Sequence, residues 1–225
     1  MSSKLLLYSV ILFLTARSFS GAPLEEEVEE IPVQENIPPR MDPALYHTAA
    51  MEVAKAPDPI LAAYRNGEKE QVLAFFAALC GSPELAALIL SYASEYDIGP
   101  ALAFALCWEE SRYRKYAVNR NTNGSVDRGL FQLNNQSFPE LSIEDFFNPK
   151  VNVQYAMSHL RWCLDKGGSE LSGLAMYNVG RGRVNGGGAP KVTLDYISRI
   201  IGYRKGIEAL FNAEITGQAD LLVRY

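Results

Sequence analysis

The segment ALAFALCWEE, residues 101–110, decides the fold, because it is apolar on nearly every face of a helix until it ends in two glutamates. Such a helix has no face suited to water and therefore belongs in the middle of a domain. Gly99 and Pro100 mark its start. We therefore expect a central helix whose last turn carries Glu109 and Glu110.

This carboxylate pair is the first candidate for chemistry. A carboxylate with apolar neighbours loses solvation in its charged form, so its pKa rises. An acid that keeps its proton near neutral pH can donate it to the leaving oxygen of a glycosidic bond. Adjacent helical residues project about 100° apart, so only one of the pair can face a cleft. The alternative is that both glutamates simply end the helix in solvent.

The rest of the chain from Met41 predicts helices almost throughout, since no run alternates apolar and polar residues over the length of a strand. Residues 117–128 are the exception, because their polar and glycine content predicts a small β-hairpin that turns at Asn123-Gly124. Residues 181–190 predict a glycine-rich loop. The predicted fold is therefore mainly α with a small β-hairpin, and its helices are expected at residues 43–55, 59–65, 68–80, 82–96, 101–110, 150–165 and 170–178 and, capped by Thr193, to about 214.

Polar side chains within apolar runs indicate a second group of candidates. Gln132 lies between Phe131 and Leu133, where an unsatisfied amide would cost about 1–3 kcal/mol. Tyr177 and Asn178 likewise end an apolar helical stretch. Such groups bond either to a ligand or to each other, and a purely structural network is the competing interpretation.

Composition excludes several classes of protein. The 225 residues are 48% hydrophobic and 21% charged, which excludes a fully disordered chain and a polytopic membrane protein. The net charge is −5, and residues 41–225 hold 18 basic against 20 acidic residues. A protein that grips phosphates would show a basic excess, so nucleic acid is not expected as a partner.

The N-terminal residues read as an export signal followed by a linker. Lys4 precedes an apolar stretch of ten residues, and small residues then offer cleavage sites, so residues 1–22 are predicted to be a signal peptide. Ten apolar residues are short for a membrane span, and no span is expected after cleavage. Residues 23–40 are rich in glutamate and proline and predict an extended acidic linker.

The cysteine and histidine positions predict no metal site. Neither CxxC nor HxxxH spacing occurs, so a zinc or iron–sulfur centre is not expected, and the chemistry proposed above needs no cofactor. The three cysteines allow at most one internal disulfide, and buried free thiols are the simpler interpretation. The residues concerned are Cys80, Cys107, Cys163, His47 and His159.

Three short motifs occur in a recognisable order. Glu110-Ser111 is followed by Gly129-Leu130-Phe131-Gln132, and then by Tyr177-Asn178 with Gly180. Together they resemble the signature of lytic transglycosylases with a lysozyme-like soluble-transglycosylase domain. The resemblance covers about residues 85–205. It implies residues 83–225 as the catalytic domain and 41–82 as an N-terminal helical extension, either packed on that domain or docking a partner.

The resemblance also implies a mechanism and a location. Glu110 would cleave the bond between N-acetylmuramic acid and N-acetylglucosamine in peptidoglycan, acting first as acid and then as base to leave a 1,6-anhydro product. Ser111 and Tyr177 would orient Glu110, and Gln132 and Asn178 would bind the sugar. The protein would then be exported to the periplasm or cell envelope, with any partner in envelope assembly unknown.

The segment NRNTNGSVDRGLFQLN, residues 119–134, is similar to a stretch of C-type lysozymes and of small transglycosylases that accompany secretion and conjugation machinery. Asp127 would then support hydrolysis as a nucleophile or charge stabiliser, or would stabilise the hairpin, which we favour. A hydrolytic muramidase using Glu110 and Asp127 is thus one alternative, and an inactive peptidoglycan-binding or scaffold protein is another.

Aromatic residues near the motifs are further candidates for substrate contact, because sugar rings stack on aromatic faces. Phe131 and Asp127 are included with the substrate-binding residues, whereas Trp108 and Trp162 are expected in the core. Arg112 is expected at the surface without a role. Glu109→Gln is expected to be nearly silent. The other aromatic candidates are Tyr113, Tyr116, Phe138 and Tyr177.

Overall fold

A computed structural model describes residues 56–215 together with residues 42, 44, 45 and 48. The predicted signal peptide, the acidic linker and most of the helix expected at 43–55 lie outside the described residues. The chain divides into two compact units, Met1–Ala50 and Met51–Tyr225, and the description below concerns the second. Over the described part of the chain, no helix has the length and apolar character needed to cross a membrane.

Within residues 56–111 of the described chain, four helices precede the sheet, and proline and capping residues set where three of them begin. Asp58 and Ser82 each accept a backbone hydrogen bond from the first turn that follows, and both are followed by proline, which needs no donor there. Gly81 ends the second helix in a left-handed conformation. The four helices are α1 (Pro59–Arg65), α2 (Lys69–Cys80), α3 (Pro83–Glu95) and α4 (Pro100–Ser111).

The predicted hairpin is present and gains a third strand. Strands β1 (Val118–Arg120) and β2 (Val126–Arg128) pair antiparallel, with Asn119 opposite Asp127. The short strand β3 (Leu133–Asn134) then pairs antiparallel with β2, so that Asn134 also lies opposite Asp127. Asp127 therefore occupies the central strand of a three-stranded sheet.

Between the sheet and residue 215, where the described part ends, the chain forms five helices. A capping box between Ser142 and Asp145 starts the first of them, and Asn148 caps the next. The prediction of a glycine-rich loop at residues 181–190 is wrong in part, because a short helix forms over Arg181–Gly187. The helices are α5 (Ile143–Phe147), α6 (Pro149–Gly167), α7 (Glu170–Val179), α8 (Arg181–Gly187) and α9 (Lys191–Ile215).

The core joins helices from both ends of this unit. Phe104 of α4 stacks on Phe76 of α2 with ring centroids 4.2 Å apart, and Phe211 of α9 packs edge-on against Phe75 of α2 at 5.1 Å. Burying each such ring stabilises the fold by about 1.5–3 kcal/mol. The mainly helical fold with a small hairpin and additional N-terminal helices is thus confirmed, and α2 shares one core with α4 and α9.

Three expectations about single residues need correction. Trp108 and Trp162 are not core residues, since they are 36% and 40% exposed. Thr193 does not cap the last helix from outside: it lies buried in the first turn of α9, which begins at Lys191. The expectation of free thiols, in contrast, is confirmed: Cys107 and Cys163 are buried and Cys80 is half-buried.

Candidate active site

Glu110 lies in the last turn of α4, where the apolar helix ends. Its side chain is only partly accessible, and the hydroxyl of Tyr196 on α9 donates a hydrogen bond of 2.5 Å to Glu110 Oε1. Burial is the main cause that raises the pKa of Glu110 to about 8, and the negative charges of Asp127 and Glu109 act in the same direction. The hydrogen bond from Tyr196 opposes them. Glu110 therefore keeps its proton at neutral pH.

Glu109 has a different partner on the same helix α9. Its side chain is 8% exposed, and its Oε1 accepts hydrogen bonds from Nε and Nη2 of Arg199 at 2.9 and 2.7 Å. Nη1 of Arg112 lies 3.6 Å from the other carboxylate oxygen. The two adjacent glutamates thus diverge as neighbouring helical positions must, and Glu109 is an ion-paired connection between α4 and α9.

The backbone turns sharply immediately after Ser111. Arg112 and Tyr113 both adopt positive φ angles, 56° and 60°, which cost non-glycine residues on the order of 1 kcal/mol each. Side-chain contacts hold this turn. The Arg112 guanidinium lies 4.8 Å from the centre of the Trp108 ring, and the Tyr113 hydroxyl donates to the Phe104 carbonyl at 3.2 Å. Arg112, expected to have no role, therefore stabilises the end of the helix that carries Glu110.

Ser111 and Tyr177 do not contact the Glu110 carboxyl through any hydrogen bond of the described structure. The Ser111 hydroxyl donates to the Cys107 carbonyl at 3.3 Å, within α4. The Tyr177 hydroxyl on α7 donates to the Phe131 carbonyl at 3.1 Å. Ser111 and Tyr177 were expected to hold and orient Glu110, but the hydrogen bond to its carboxyl comes from Tyr196.

Burial and the nearby charge of Glu110 raise the pKa of Tyr196 and of Tyr177 well above the usual value. Both phenols therefore remain protonated over the range in which Glu110 titrates, and both can donate hydrogen bonds there. Tyr196 donates to the acid itself, and Tyr177 lies close enough to Glu110 to respond to its charge.

The segment from Gly129 to Gln132 is held in place by one buried amide. Asn152 on α6 is buried; its Oδ1 accepts from the Phe131 amide at 2.9 Å, and its Nδ2 donates to the Phe146 carbonyl at 2.9 Å. Gly129 has a φ of 80°, and a Cβ there would lie 2.2 Å from the Phe146 carbonyl oxygen. Only glycine therefore fits the first position of this motif.

Gln132 is likewise constrained. Its φ is 48°, and its side-chain Nε2 donates to the carbonyls of Ala117 and Gly129 at 3.1 and 2.8 Å. These two bonds use the amide nitrogen and leave the carboxamide oxygen uninvolved. The amide nitrogen of Gln132 thus has the structural role, while its oxygen can still accept a hydrogen bond from a ligand.

Phe131 cannot act as a sugar platform. Its ring is fully buried, at 0% exposure, so its inclusion among substrate-binding residues is wrong. Its backbone instead connects two elements, because its carbonyl accepts from Tyr177 and its amide donates to Asn152. Phe131 therefore positions the motif from within the core.

Asp127 is enclosed by amides of the sheet. Its Oδ2 accepts from Nδ2 of Asn121 at 2.8 Å and of Asn119 at 3.2 Å, and its Oδ1 accepts from Nδ2 of Asn134 at 2.6 Å. These bonds join all three strand segments through one carboxylate. The geometry supports a role in stabilising the hairpin, and the charge of Asp127 also raises the pKa of Glu110.

Asn178 is exposed at the end of α7 and is oriented by α9. Its Oδ1 accepts a hydrogen bond of 2.8 Å from the hydroxyl of the buried Thr193. This bond uses the carboxamide oxygen of Asn178, so its amide nitrogen can still donate to a ligand. Thr193, expected only as a helix cap, therefore positions the side chain of Asn178.

Sequence reasoning missed three residues that build the site: Tyr196, Arg199 and Asn152. The only signal for Tyr196 is its place on the apolar stripe of α9, where a tyrosine hydroxyl needs a partner. Asn152 is similarly an amide on the buried stripe of α6. Neither signal says which partner the side chain contacts.

A known protein family matches the part of the chain that carries the site. Residues 87–194 match the family model described as Transglycosylase SLT domain. These residues form a transglycosylase SLT domain. The match includes Glu110, Gln132, Tyr177 and Asn178 of the three motifs, and it ends just before Tyr196 and Arg199. A lysozyme-like fold, as the motifs imply, is consistent with the helices and the small sheet seen here.

Curated relatives of the SLT domain are similar over the same central part of the chain. X polypeptide of Escherichia coli is 30% identical over 92 residues, which are 38% of this chain and 54% of that protein. Protein IpgF of Shigella sonnei is 32% identical over 91 residues, which are 38% of this chain and 60% of that protein. The chain thus spans between half and about three fifths of the length of these relatives.

Among solved structures, an inactive mutant of the lytic transglycosylase Slt from Pseudomonas aeruginosa is similar to this chain. The similarity covers 75% of this chain and 32% of that one, with a TM-score of 0.49 and 20% sequence identity.

Proposed function

We propose that this protein is a lytic transglycosylase that cleaves the glycan strands of peptidoglycan at the bond between N-acetylmuramic acid and N-acetylglucosamine. One observation carries the proposal. An acid with a pKa of about 8, held by Tyr196, ends the central helix of an SLT domain. Such an acid is protonated at neutral pH and can still lose its proton during the reaction.

The reaction follows from a single carboxyl group. Glu110 donates its proton to the glycosidic oxygen while the bond from that oxygen to C1 of the muramic acid breaks. The acetamido group of the substrate stabilises the positive charge that develops at C1. The Glu110 carboxylate then takes the proton of the C6 hydroxyl, whose oxygen bonds to C1 and closes the 1,6-anhydro ring. No water is consumed, and Glu110 regains its proton.

The surrounding residues have distinct roles in this proposal. Tyr196 orients Glu110 and stabilises its carboxylate form, because its hydrogen bond lowers the pKa that burial raises. The oxygen of Gln132 and the amide nitrogen of Asn178 bind acetamido and hydroxyl groups of the sugar. Tyr177 positions the motif of Gln132 through the Phe131 carbonyl, and Ser111 supports the end of α4.

A hydrolytic muramidase remains the alternative function, with Asp127 as the second carboxylate. Asp127 is close enough to influence Glu110 electrostatically, which favours this alternative. The three asparagine amides that enclose its carboxylate favour a structural role instead, because they already occupy both oxygens. A retained fold that only binds peptidoglycan is the third alternative, and it gives no reason for an acid of raised pKa.

Analysis of the products distinguishes these functions. Purified peptidoglycan is digested with the wild-type protein, and the released fragments are examined by mass spectrometry. Anhydro ends support the transglycosylase, reducing ends support the hydrolase, and no release supports the binding protein. Asp127→Asn is expected to destabilise the hairpin and still to release anhydro products. If the wild-type protein released reducing ends and Asp127→Asn released no product, hydrolysis would instead be assigned to Asp127.

The Glu110→Gln variant tests the assignment of the acid. It is expected to lose at least about a hundredfold in turnover, because it removes general acid and base together. It should still bind insoluble peptidoglycan. Glu140→Gln, at an exposed position after the sheet, is the matched control and should keep full turnover. Full turnover in Glu110→Gln would refute the mechanism.

An envelope location belongs to the same proposal. The substrate lies outside the cytoplasmic membrane, and residues 1–22 have the charge and apolar pattern of a signal peptide. We therefore propose export with cleavage after Ser20 or Ala22. N-terminal sequencing of the protein recovered from the cell envelope tests this directly, since an intact Met1 would refute cleavage.

A further inference from the structure

Four aromatic rings form a continuous series along one side of α6, here called the aromatic ladder: Tyr155, Phe138, His159 and Trp162. Phe138 contacts Tyr155 edge-on at 5.9 Å and His159 edge-on at 5.4 Å. His159 in turn stacks on Trp162, with centroids 5.8 Å apart and ring planes only 13° from parallel. The positions 155, 159 and 162 recur at helical spacing and therefore share one side of α6.

The ladder is continuous with the candidate active site. The ring of His159 lies 5.2 Å from the ring of Tyr177. Tyr177 bonds to the Phe131 carbonyl of the Gln132 motif and lies within electrostatic reach of Glu110. Two ring-to-ring steps thus lead from the residue beside the acid to Trp162 at the surface.

The two ends of the ladder differ in exposure. Phe138 and Tyr155 pack partly against the core, whereas Trp162 is 40% exposed. Burial therefore accounts for the inner rings and for the covered part of the indole, and it leaves 40% of Trp162 in contact with solvent. Its indole is nevertheless held in a fixed orientation by the stack on His159.

The rings of the ladder carry no net charge at pH 7. Burial lowers the pKa of His159 below its usual value, so its ring is neutral at pH 7. The other exposed tryptophan differs in this respect, because the guanidinium of Arg112 lies over the ring of Trp108 and Tyr203 packs against its edge. Trp108 is therefore occupied by protein groups, and the chain contains only these two tryptophans.

We propose that the aromatic ladder binds the glycan strand beyond the bond that is cleaved, with the apolar face of an N-acetyl sugar stacked on Trp162. Aromatic rings that carry sugars present a flat apolar face to the C–H side of the pyranose. This inference rests on the proposed function, since it assumes that the strand enters at Glu110. It extends that function by naming where the strand continues, and it predicts that longer strands bind more tightly.

Tryptophan fluorescence tests the ladder directly. The Glu110→Gln protein is titrated with N-acetylglucosamine oligosaccharides of increasing length, so that binding is measured without turnover. We expect the emission to change on binding and the affinity to rise with length. Trp162→Ala in this background is expected to weaken binding of the longer oligosaccharides about tenfold, the loss of one stacking contact.

Matched variants separate stacking from folding. Trp162→Phe retains a flat ring and should recover most of the affinity, whereas Trp108→Phe should leave both the affinity and the fluorescence change intact. Equal affinity of Trp162→Ala and its parent for every oligosaccharide length would overturn the inference. A fluorescence change that disappears with Trp108→Phe instead of Trp162→Phe would also overturn it.

The two proposals fail in different ways. If peptidoglycan digestion releases no fragments but Trp162→Ala still weakens oligosaccharide binding, the catalytic proposal fails and the ladder stands as a sugar-binding surface. If anhydro fragments are released and Trp162 makes no difference to binding or to the length of the fragments, the ladder fails and the catalytic proposal stands.

Discussion

Replacing Glu110 by glutamine should make the folded protein more stable at pH values above about 4.5, and by the largest amount above pH 8. The carboxyl has a pKa of about 8 in the folded protein against an ordinary value of 4.5. Below pH 4.5 it is protonated in both the folded and the unfolded chain and contributes no pH dependence. Between the two values only the unfolded chain loses the proton, so the stability of the wild-type protein falls as the pH rises.

The magnitude follows from the gap between the two pKa values, which corresponds to on the order of 4 kcal/mol once the pH exceeds 8. Glutamine is nearly isosteric and accepts the hydrogen bond from Tyr196, so Glu110→Gln avoids this cost without leaving a cavity. The variant should therefore match the wild type at pH 4.5 and exceed it by roughly 2–4 kcal/mol at pH 9.

Urea denaturation at pH 4.5, 7 and 9, followed by circular dichroism, measures these differences. The comparison at pH 4.5 is the internal control, because the wild-type carboxyl is protonated there in the folded state. A difference between variant and wild type that stays constant from pH 4.5 to pH 9 would refute the argument. It would mean that burial does not raise the pKa of Glu110 and that the acid is not primed for catalysis.

Two further predictions concern the contacts around this acid. Tyr196→Phe removes the hydrogen bond that lowers the pKa of Glu110, so the alkaline limb of the pH profile of kcat/KM should move to higher pH. The maximal rate should fall about tenfold or more, because Glu110 loses a group that orients it. A pH profile measured with peptidoglycan in which this limb does not move would contradict the role of Tyr196. Gly129→Ala should lower the free energy of unfolding by roughly 2–4 kcal/mol, because its Cβ would lie 2.2 Å from the Phe146 carbonyl oxygen. Gly124→Ala is its control, since φ is similarly positive but nothing lies within 4 Å, and thermal denaturation should show a loss of only about 1 kcal/mol; equal losses at both glycines would contradict the steric argument.

The local signals in the sequence predict most of the elements that carry the site. The apolar run before Glu110 indicates a buried helix because no face of it suits water, and Asn123-Gly124 indicates a hairpin because glycine tolerates a positive φ. Ser82 and Pro83 likewise set the start of α3 through capping. In each case the information lies within a few neighbouring residues.

Contacts between distant elements could not be predicted in this way. Tyr196 is 86 residues away from Glu110, and nothing in its own neighbourhood indicates which carboxylate its hydroxyl contacts. The exposure of Phe131 and of Trp162 could not be predicted from the sequence either. One is buried and the other exposed, although both are aromatic residues in amphipathic surroundings, because tertiary packing and not local pattern decides exposure.

The α9 contacts with the paired glutamates bear on how this protein can be dissected. A fragment trimmed to the borders of the matched family segment would stop at Leu194 and discard both Tyr196 and Arg199. It would keep every recognised motif, yet it would lose the phenol bonded to the acid and the cation paired with Glu109. Boundaries drawn from sequence similarity alone would therefore excise a domain with an unsupported proton donor.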